Sequence, residues 1–211
     1  MPTQTVQPGI LIAIEGIDGA GTTTQAERLT AALGAAGHLT REPSRGPVGL
    51  LLRQLLGGAH APVEPAAIAL LFAADRLDHL QREVEPALAR GLHVVTDRYV
   101  LSSLAYQSVD VARGWVAALN QRARSADLTL FVDVPVEIAE ARRKARGGPE
   151  ELFDRRDFQE RVVAAYRREA AALSDSGAAI VTLDGARAPD EVHREIAAAV
   201  QTCLRARLSA S

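Results

Sequence analysis

The chain has 211 residues, enough for one compact domain with a sizeable core. Its 24 Lys and Arg against 26 Asp and Glu leave a net charge of −2, so no overall basic field marks nucleic acid as a partner. A single cysteine, Cys203, excludes an internal disulfide and suits a reducing, cytoplasmic setting, and no apolar run approaches the roughly 18 residues of a membrane span. Residues 1–8 carry Pro2 and Pro8 without a positive cluster or an apolar stretch, and read as a frayed tail rather than a signal peptide. One domain is expected over residues 9–208.

In chain order, Ile10–Ile14 is an aliphatic run of the kind found in a buried parallel strand. Gly16-Ile17-Asp18-Gly19-Ala20-Gly21-Thr22-Thr23 follows it, a phosphate-binding loop of the form G-x-x-x-x-G-K-[ST] in which Thr22 stands where Lys is expected. Ala26, Leu29, Ala32 and Leu33 then mark a helix over residues 23–36. Strand, glycine-rich turn and helix start together let backbone N–H groups and the helix dipole converge on an anion. Further strands are expected at His38–Arg41, Leu92–Thr96, Leu128–Val134 and Ala179–Leu183, several of them preceded by a glycine. Helices are expected at Pro65–Ala89, Arg113–Ala123, Val136–Ala145, Phe158–Leu173 and Pro189–Ala206, while Ser44–Gly58 and Gly147–Asp157 read as irregular. The alternation predicts an α/β fold with a five-stranded parallel sheet and helices on both faces.

Ligands of such sheets lie beyond the carboxyl ends of the strands, and those ends carry charge here. Glu15 and the phosphate loop follow the first strand, Arg41-Glu42-Pro43 the second, and Asp97-Arg98-Tyr99 the third. Asp97 has the position of an acid that holds Mg²⁺ or its water shell, with the Thr23 hydroxyl as the loop's contribution. Phe72 and Arg76 lie one turn apart on one helix face, which suits stacking on and hydrogen bonding to a nucleobase, and equally a core Phe beside a solvated Arg. His79, one turn further, reads as structural or solvated. Ser102-Ser103 and Tyr106-Gln107 put hydroxyls and an amide close behind the acid–arginine pair. Arg142, Arg143, Lys144 and Arg146, just before Gly147-Gly148-Pro149, suit either a solvated face or a flexible lid at about 142–157 that brings arginines to phosphates.

With these residues in place, the chain resembles the thymidylate kinase (dTMP kinase) family of P-loop nucleoside monophosphate kinases. The resemblance runs from about Ile10 to Ala171 and rests on Glu15–Gly21, Arg41-Glu42-Pro43, Phe72-Ala73-Ala74-Asp75-Arg76, Asp97-Arg98-Tyr99 with Ser102-Ser103 and Ala105-Tyr106-Gln107, and the Asp127–Val134 strand. It implies a three-layer P-loop kinase fold with a short lid, and phosphoryl transfer from MgATP to dTMP by a homodimer. Gly16, Ile17, Asp18, Gly19, Ala20, Gly21, Thr22, Thr23 and Thr24 would bind ATP. Phe72 would stack on thymine, Arg76 would donate to it, and Ser103 would face its edge with Gln107 nearby. Arg98 would hold the acceptor phosphate with Arg41 beside it, and Asp18 and Tyr106 would border the deoxyribose. Asp18, Arg98, Arg143 and Arg146 would serve the reaction, and Thr23 and Asp97 the metal.

Two departures bear on mechanism. Thr22 removes a cation from a site that stabilises developing charge, a change of the order of a few kcal/mol unless another group supplies it. The Gly147–Glu151 stretch looks short, which leaves open which of Arg143 and Arg146 acts. The same residues also admit a kinase for another nucleotide or a nucleotide-binding protein without turnover.

Overall fold

The computed structural model describes residues 7–57, 62–147 and 155–209. Five parallel strands, β1 (Leu11–Glu15), β2 (Gly37–Arg41), β3 (His93–Asp97), β4 (Leu128–Asp133) and β5 (Ile180–Asp184), form one sheet in the order β2-β3-β1-β4-β5. The expected fold class is therefore the one that forms. β1 lies at the centre and all five of its residues are buried, as its unbroken aliphatic run requires. Its side chains divide by strand alternation: Ile12 and Ile14 join a cluster with Ala26, Leu29, Ile196 and Val200, whereas Leu11 and Ala13 join Leu80, Val84 and Leu88. Burying both faces in this way sets helices on either side of the sheet.

The helices are α1 (Thr22–Leu33), α2 (Pro47–Leu56), α3 (Pro65–His79), α4 (Glu85–Ala89), α5 (Val100–Tyr106), α6 (Arg113–Leu119), α7 (Val136–Arg146), α8 (Arg156–Asp175) and α9 (Pro189–Ser209). The expected helix over residues 65–89 is α3 and α4 joined by a π-helical turn at Leu80–Val84. Pro86 has no N–H to return to the preceding turn, and widening of the helix accommodates its ring. Two helices differ from expectation. The Ser44–Gly58 segment, read as irregular, holds α2, which opens on Pro47 and seats Gly49 so close to Ser44 that an added Cβ would stand 2.2 Å from the Ser44 carbonyl oxygen. Val100–Tyr106, read only as a polar stretch, is α5.

β1 has β3 on one side and β4 on the other, so the chain's crossovers diverge there and leave a crevice beyond its carboxyl end. The phosphate loop, the Asp97-Arg98-Tyr99 turn and the Arg41-Glu42-Pro43 turn all open into that crevice. Residues 1–6 of the expected tail and 148–154 of the expected lid lie outside the described residues.

Candidate active site

The loop after β1 makes its turns with Gly19 at φ +86° and Gly21 at φ +96°, a region other residues rarely adopt. A Cβ on Gly19 would also stand 2.3 Å from the carbonyl oxygen of Ala139, so only glycine lets the loop lie against α7. Gly21 precedes α1 and no side chain caps that terminus, which leaves the N–H groups around Thr22, Thr23 and Thr24 directed at the crevice. Ile17 and Ala20 are buried beneath the loop, while Gly16 lies so close to Thr22 that an added Cβ would stand 3.3 Å from its methyl. Thr22 is 5% exposed at the first position of α1 and brings no charge to the crevice.

Positive charge reaches the loop from α7 instead. Arg143 donates to the Asp18 carbonyl at 2.7 Å, Arg142 to the Ala20 carbonyl at 3.4 Å, and Arg146 pairs with the Asp18 carboxylate at 3.0 Å. These arginines belong to the last turns of α7, which runs one residue beyond the helix expected over Val136–Ala145 and so takes in Arg146 as well. The bracing of Ala139 on Gly19 holds that helix at a fixed height above the loop.

Thr23 and Asp97 meet at the foot of the crevice, where the threonine hydroxyl donates to Asp97 Oδ2 at 2.5 Å. Asp97 is 7% exposed and its Oδ1 is buried with no hydrogen-bond partner. A buried carboxylate oxygen without a donor, next to a hydroxyl oxygen, is a hard-oxygen pair that fits Mg²⁺ bound mainly through water and phosphate. No group of three or more His, Cys, Asp or Glu among the described residues forms a protein-only metal cage.

Arg98 is the one described non-glycine residue with positive φ, at +76°. Its amide donates to Ile14 O at 2.9 Å and its carbonyl accepts from the Thr96 hydroxyl at 2.8 Å, so the unusual backbone is pinned from both sides. The guanidinium donates to the Gly16 carbonyl, donates to the Tyr166 hydroxyl at 3.0 Å, and lies 5.6 Å from the Tyr106 ring centre. Burial opposes its charge, but the Tyr106 and Tyr166 hydroxyls with Asp97 and Glu15 outweigh that and hold its pKa above the ordinary arginine value. Glu15 is fully buried, and burial pushes its carboxyl up against the opposing effect of Ser102 and Arg98.

A cavity of about 250 Å³ opens in front of Arg98 and is lined by Asp18, Phe72, Arg76, Ser103, Tyr106 and Gln107. Arg41 stands exposed at its rim. Phe72 is half-buried with a face on the cavity, and Tyr106 accepts from the Asp18 amide at 3.1 Å, tying the phosphate loop to the cavity wall. Gln107 is 7% exposed and its Oε1 has no partner, an acceptor held ready in the wall. Arg76 is more constrained than the sequence suggests. Its terminal nitrogens reach Ser103 at 3.1 Å, Asn120, Tyr99 O at 3.0 Å and Glu42 at 2.7 Å, leaving only Nε unpartnered. His79, expected to be structural or solvated, is buried and bridges Thr40 at 2.7 Å to Glu42 at 3.2 Å.

Sequence reasoning passed over Arg53, which lines the same cavity and donates to the Pro43 carbonyl, because it falls in the segment read as irregular. It also passed over Tyr166, whose place in a helix stripe is that of any core aromatic. Glu15 was visible as an acid after β1, but nothing in one dimension shows that it gathers the Tyr99 and Ser102 amides at 3.0 and 3.2 Å.

A glycine loop feeding an uncapped helix, a hydroxyl–carboxylate pair beneath it and an arginine-bearing cavity beside it define a P-loop nucleotide phosphotransferase. The thymidylate kinase family model matches residues 14–196. The chain is 40% identical over 197 residues to a probable thymidylate kinase of Pyrobaculum aerophilum, covering 92% of this chain and 97% of that one. It is 39% identical over 204 residues to a thymidylate kinase of Dinoroseobacter shibae, covering 91% and 96%. Its fold is similar to that of the Candida albicans thymidylate kinase, with a TM-score of 0.81, 26% identity and 92% of each chain covered. The chain belongs to the thymidylate kinase family.

Proposed function

We infer that the chain phosphorylates dTMP to dTDP with ATP as donor. The observation that carries this is the Arg98-fronted cavity with the half-buried Phe72 on its wall, opening directly beside the phosphate loop. A nucleoside monophosphate bound there has its phosphate at the loop end and its base at the Phe72 end, so donor and acceptor phosphates meet between α1 and Arg98. Phe72 stacks on the thymine, while Ser103, Gln107 and the Arg76 side chain that holds Ser103 serve the base edge. Arg98, with Arg41 and Arg53 nearby, takes the acceptor phosphate through a guanidinium fork. Tyr106 borders the sugar and Asp18 joins it to the donor loop. The residues from Gly16 to Thr24 cradle the donor phosphates, and the α7 arginines supply positive charge during transfer.

Thr23 and Asp97 would hold Mg²⁺, which when bound neutralises charge on the donor phosphates. Asp97→Asn keeps the shape and removes the charge, so it raises the Mg²⁺ concentration for half-maximal rate while leaving dTMP binding without metal unchanged, measured by titrating the metal in a rate assay. Phe72→Ala weakens dTMP binding by about 1–3 kcal/mol, the scale of a lost base–aromatic stack, as read by calorimetry. Unchanged affinity would place the base elsewhere.

We further propose a homodimer in the cytoplasm. The exposed Leu50 and Leu51 on α2 and Leu70 and Leu77 on α3 offer apolar surface for a second copy. No helix among the described residues is long and apolar enough to cross a membrane. Sedimentation velocity distinguishes one copy from two. The Candida albicans enzyme is described as broad in substrate specificity, so the acceptor range here is tested by coupled ADP release with dTMP, dUMP, dCMP and dGMP. Turnover highest with dTMP supports the reading, and a preference for dCMP or dGMP rejects it.

A further inference from the structure

Arg98 lies between the two substrates, and one of its terminal nitrogens is already occupied. That nitrogen donates to the Gly16 carbonyl of the donor loop and to the Tyr166 hydroxyl, while Nη2 and Nε have no protein partner among the described residues. Tyr166 comes from α8, away from the phosphate loop in sequence, and is 0% exposed, so no ligand reaches it. Its ring is stacked on Phe131 at 5.2 Å with 9° between the planes and meets Tyr106 edge-on at 6.0 Å. Its hydroxyl is 2.7 Å from Ser102 Oγ, and Ser102 in turn donates to Glu15, the last residue of β1.

These contacts form a connected chain. Arg98 donates to Tyr166, the Tyr166 and Ser102 hydroxyls share a hydrogen bond, and both reach the Glu15 carboxylate, Ser102 closely and Tyr166 at 3.4 Å, so a cation stands at one end and a buried acid at the other. The Tyr166 oxygen is thereby held between the guanidinium and the Ser102–Glu15 pair, which fixes its place beside Arg98 and with it the plane of the guanidinium. We propose that Tyr166 is a positioning residue for acceptor phosphate: its hydroxyl orients Arg98 so that the free edge of the fork faces the phosphate while the other edge stays on the donor loop. The inference rests on the assignment of Arg98 to the acceptor phosphate.

The test separates phosphate from base. Tyr166→Phe removes the hydroxyl and keeps the stack on Phe131, and its binding of dTMP and of thymidine is measured by calorimetry beside that of Arg98→Lys. Tyr166→Phe is expected to weaken dTMP binding about ten-fold, on the scale of one hydrogen bond to a charged group, with thymidine binding and the KM for ATP changed less than two-fold. Ser102→Ala, one link further away, gives a smaller loss with the same selectivity, and Tyr166→Phe adds nothing in the Arg98→Lys background. Equal weakening of dTMP and thymidine by Tyr166→Phe, or no weakening, overturns the positioning role if Arg98→Lys is selective for dTMP. Should Arg98→Lys itself fail to distinguish the two ligands, the assignment of Arg98 falls and the inference falls with it.

Discussion

Arg98→Lys lowers kcat/KM for dTMP by about 10²–10³-fold, the scale of a lost donor aimed at a reacting oxyanion, while the KM for ATP moves less than three-fold. Lysine keeps the charge but is a point donor, whereas the arginine holds the Gly16 carbonyl and the Tyr166 hydroxyl and still has Nη2 and Nε to offer. A lysine reaching for a phosphate gives up the donor-loop contact, so the two substrates lose their common reference. The backbone adds to the cost of replacement. Arg98 sits at φ +76° between the Ile14 carbonyl and the Thr96 hydroxyl, a placement that aims its side chain before any ligand arrives. Steady-state kinetics with each substrate varied in turn reads the asymmetry. Equal effects on dTMP and ATP would reject the assignment to the acceptor phosphate.

Arg143→Ala costs about 10²–10⁴ in kcat, the lower range of an arginine supplied to phosphoryl transfer, and Arg146→Ala costs no more than several-fold. The inequality follows from where the two stand. Arg143 is partly buried and hydrogen-bonded to the backbone of the phosphate loop at 2.7 Å, whereas Arg146 is 64% exposed and paired with Asp18 in solvent. Thr22→Lys in the wild type brings a second cation onto a buried position below α7 and lowers the rate. In the Arg143→Ala background the same lysine restores part of it, because the site again holds one cation. Single-turnover rates of the four proteins make a closed cycle. Additive losses would show that Thr22 and Arg143 do not share one task.

The parallel sheet was legible because long aliphatic runs alternate with helix-period stretches, and β1, β4 and α7 begin or end within a residue or so of expectation. α2 was not. Pro47 and Gly49 read as breakers, and only the close seating of Gly49 on Ser44 shows why a glycine is needed inside that helix. The candidate site was legible where chemistry sits in short motifs after a strand, as with Gly16–Thr23, Arg41 and Asp97-Arg98. It was illegible where one side chain serves another across the fold. Tyr166 meets Arg98 over a separation of 68 residues, and Arg143 meets Asp18 over 125. Neither spacing has a signature, because the contacts are made by the packing of α8 and α7 and not by the chain's local period.

The chain is expected to turn over although Thr22 stands where a lysine is expected. Phosphorus NMR of the wild-type protein with ATP, Mg²⁺ and dTMP tests it most directly, since the β-phosphate of dTDP and that of ADP appear together if phosphate is transferred. Stoichiometric growth of both signals, lost in Arg143→Ala on the same timescale, is the predicted result. Binding of ATP and dTMP with no dTDP formed would contradict it and leave a nucleotide-binding protein without turnover.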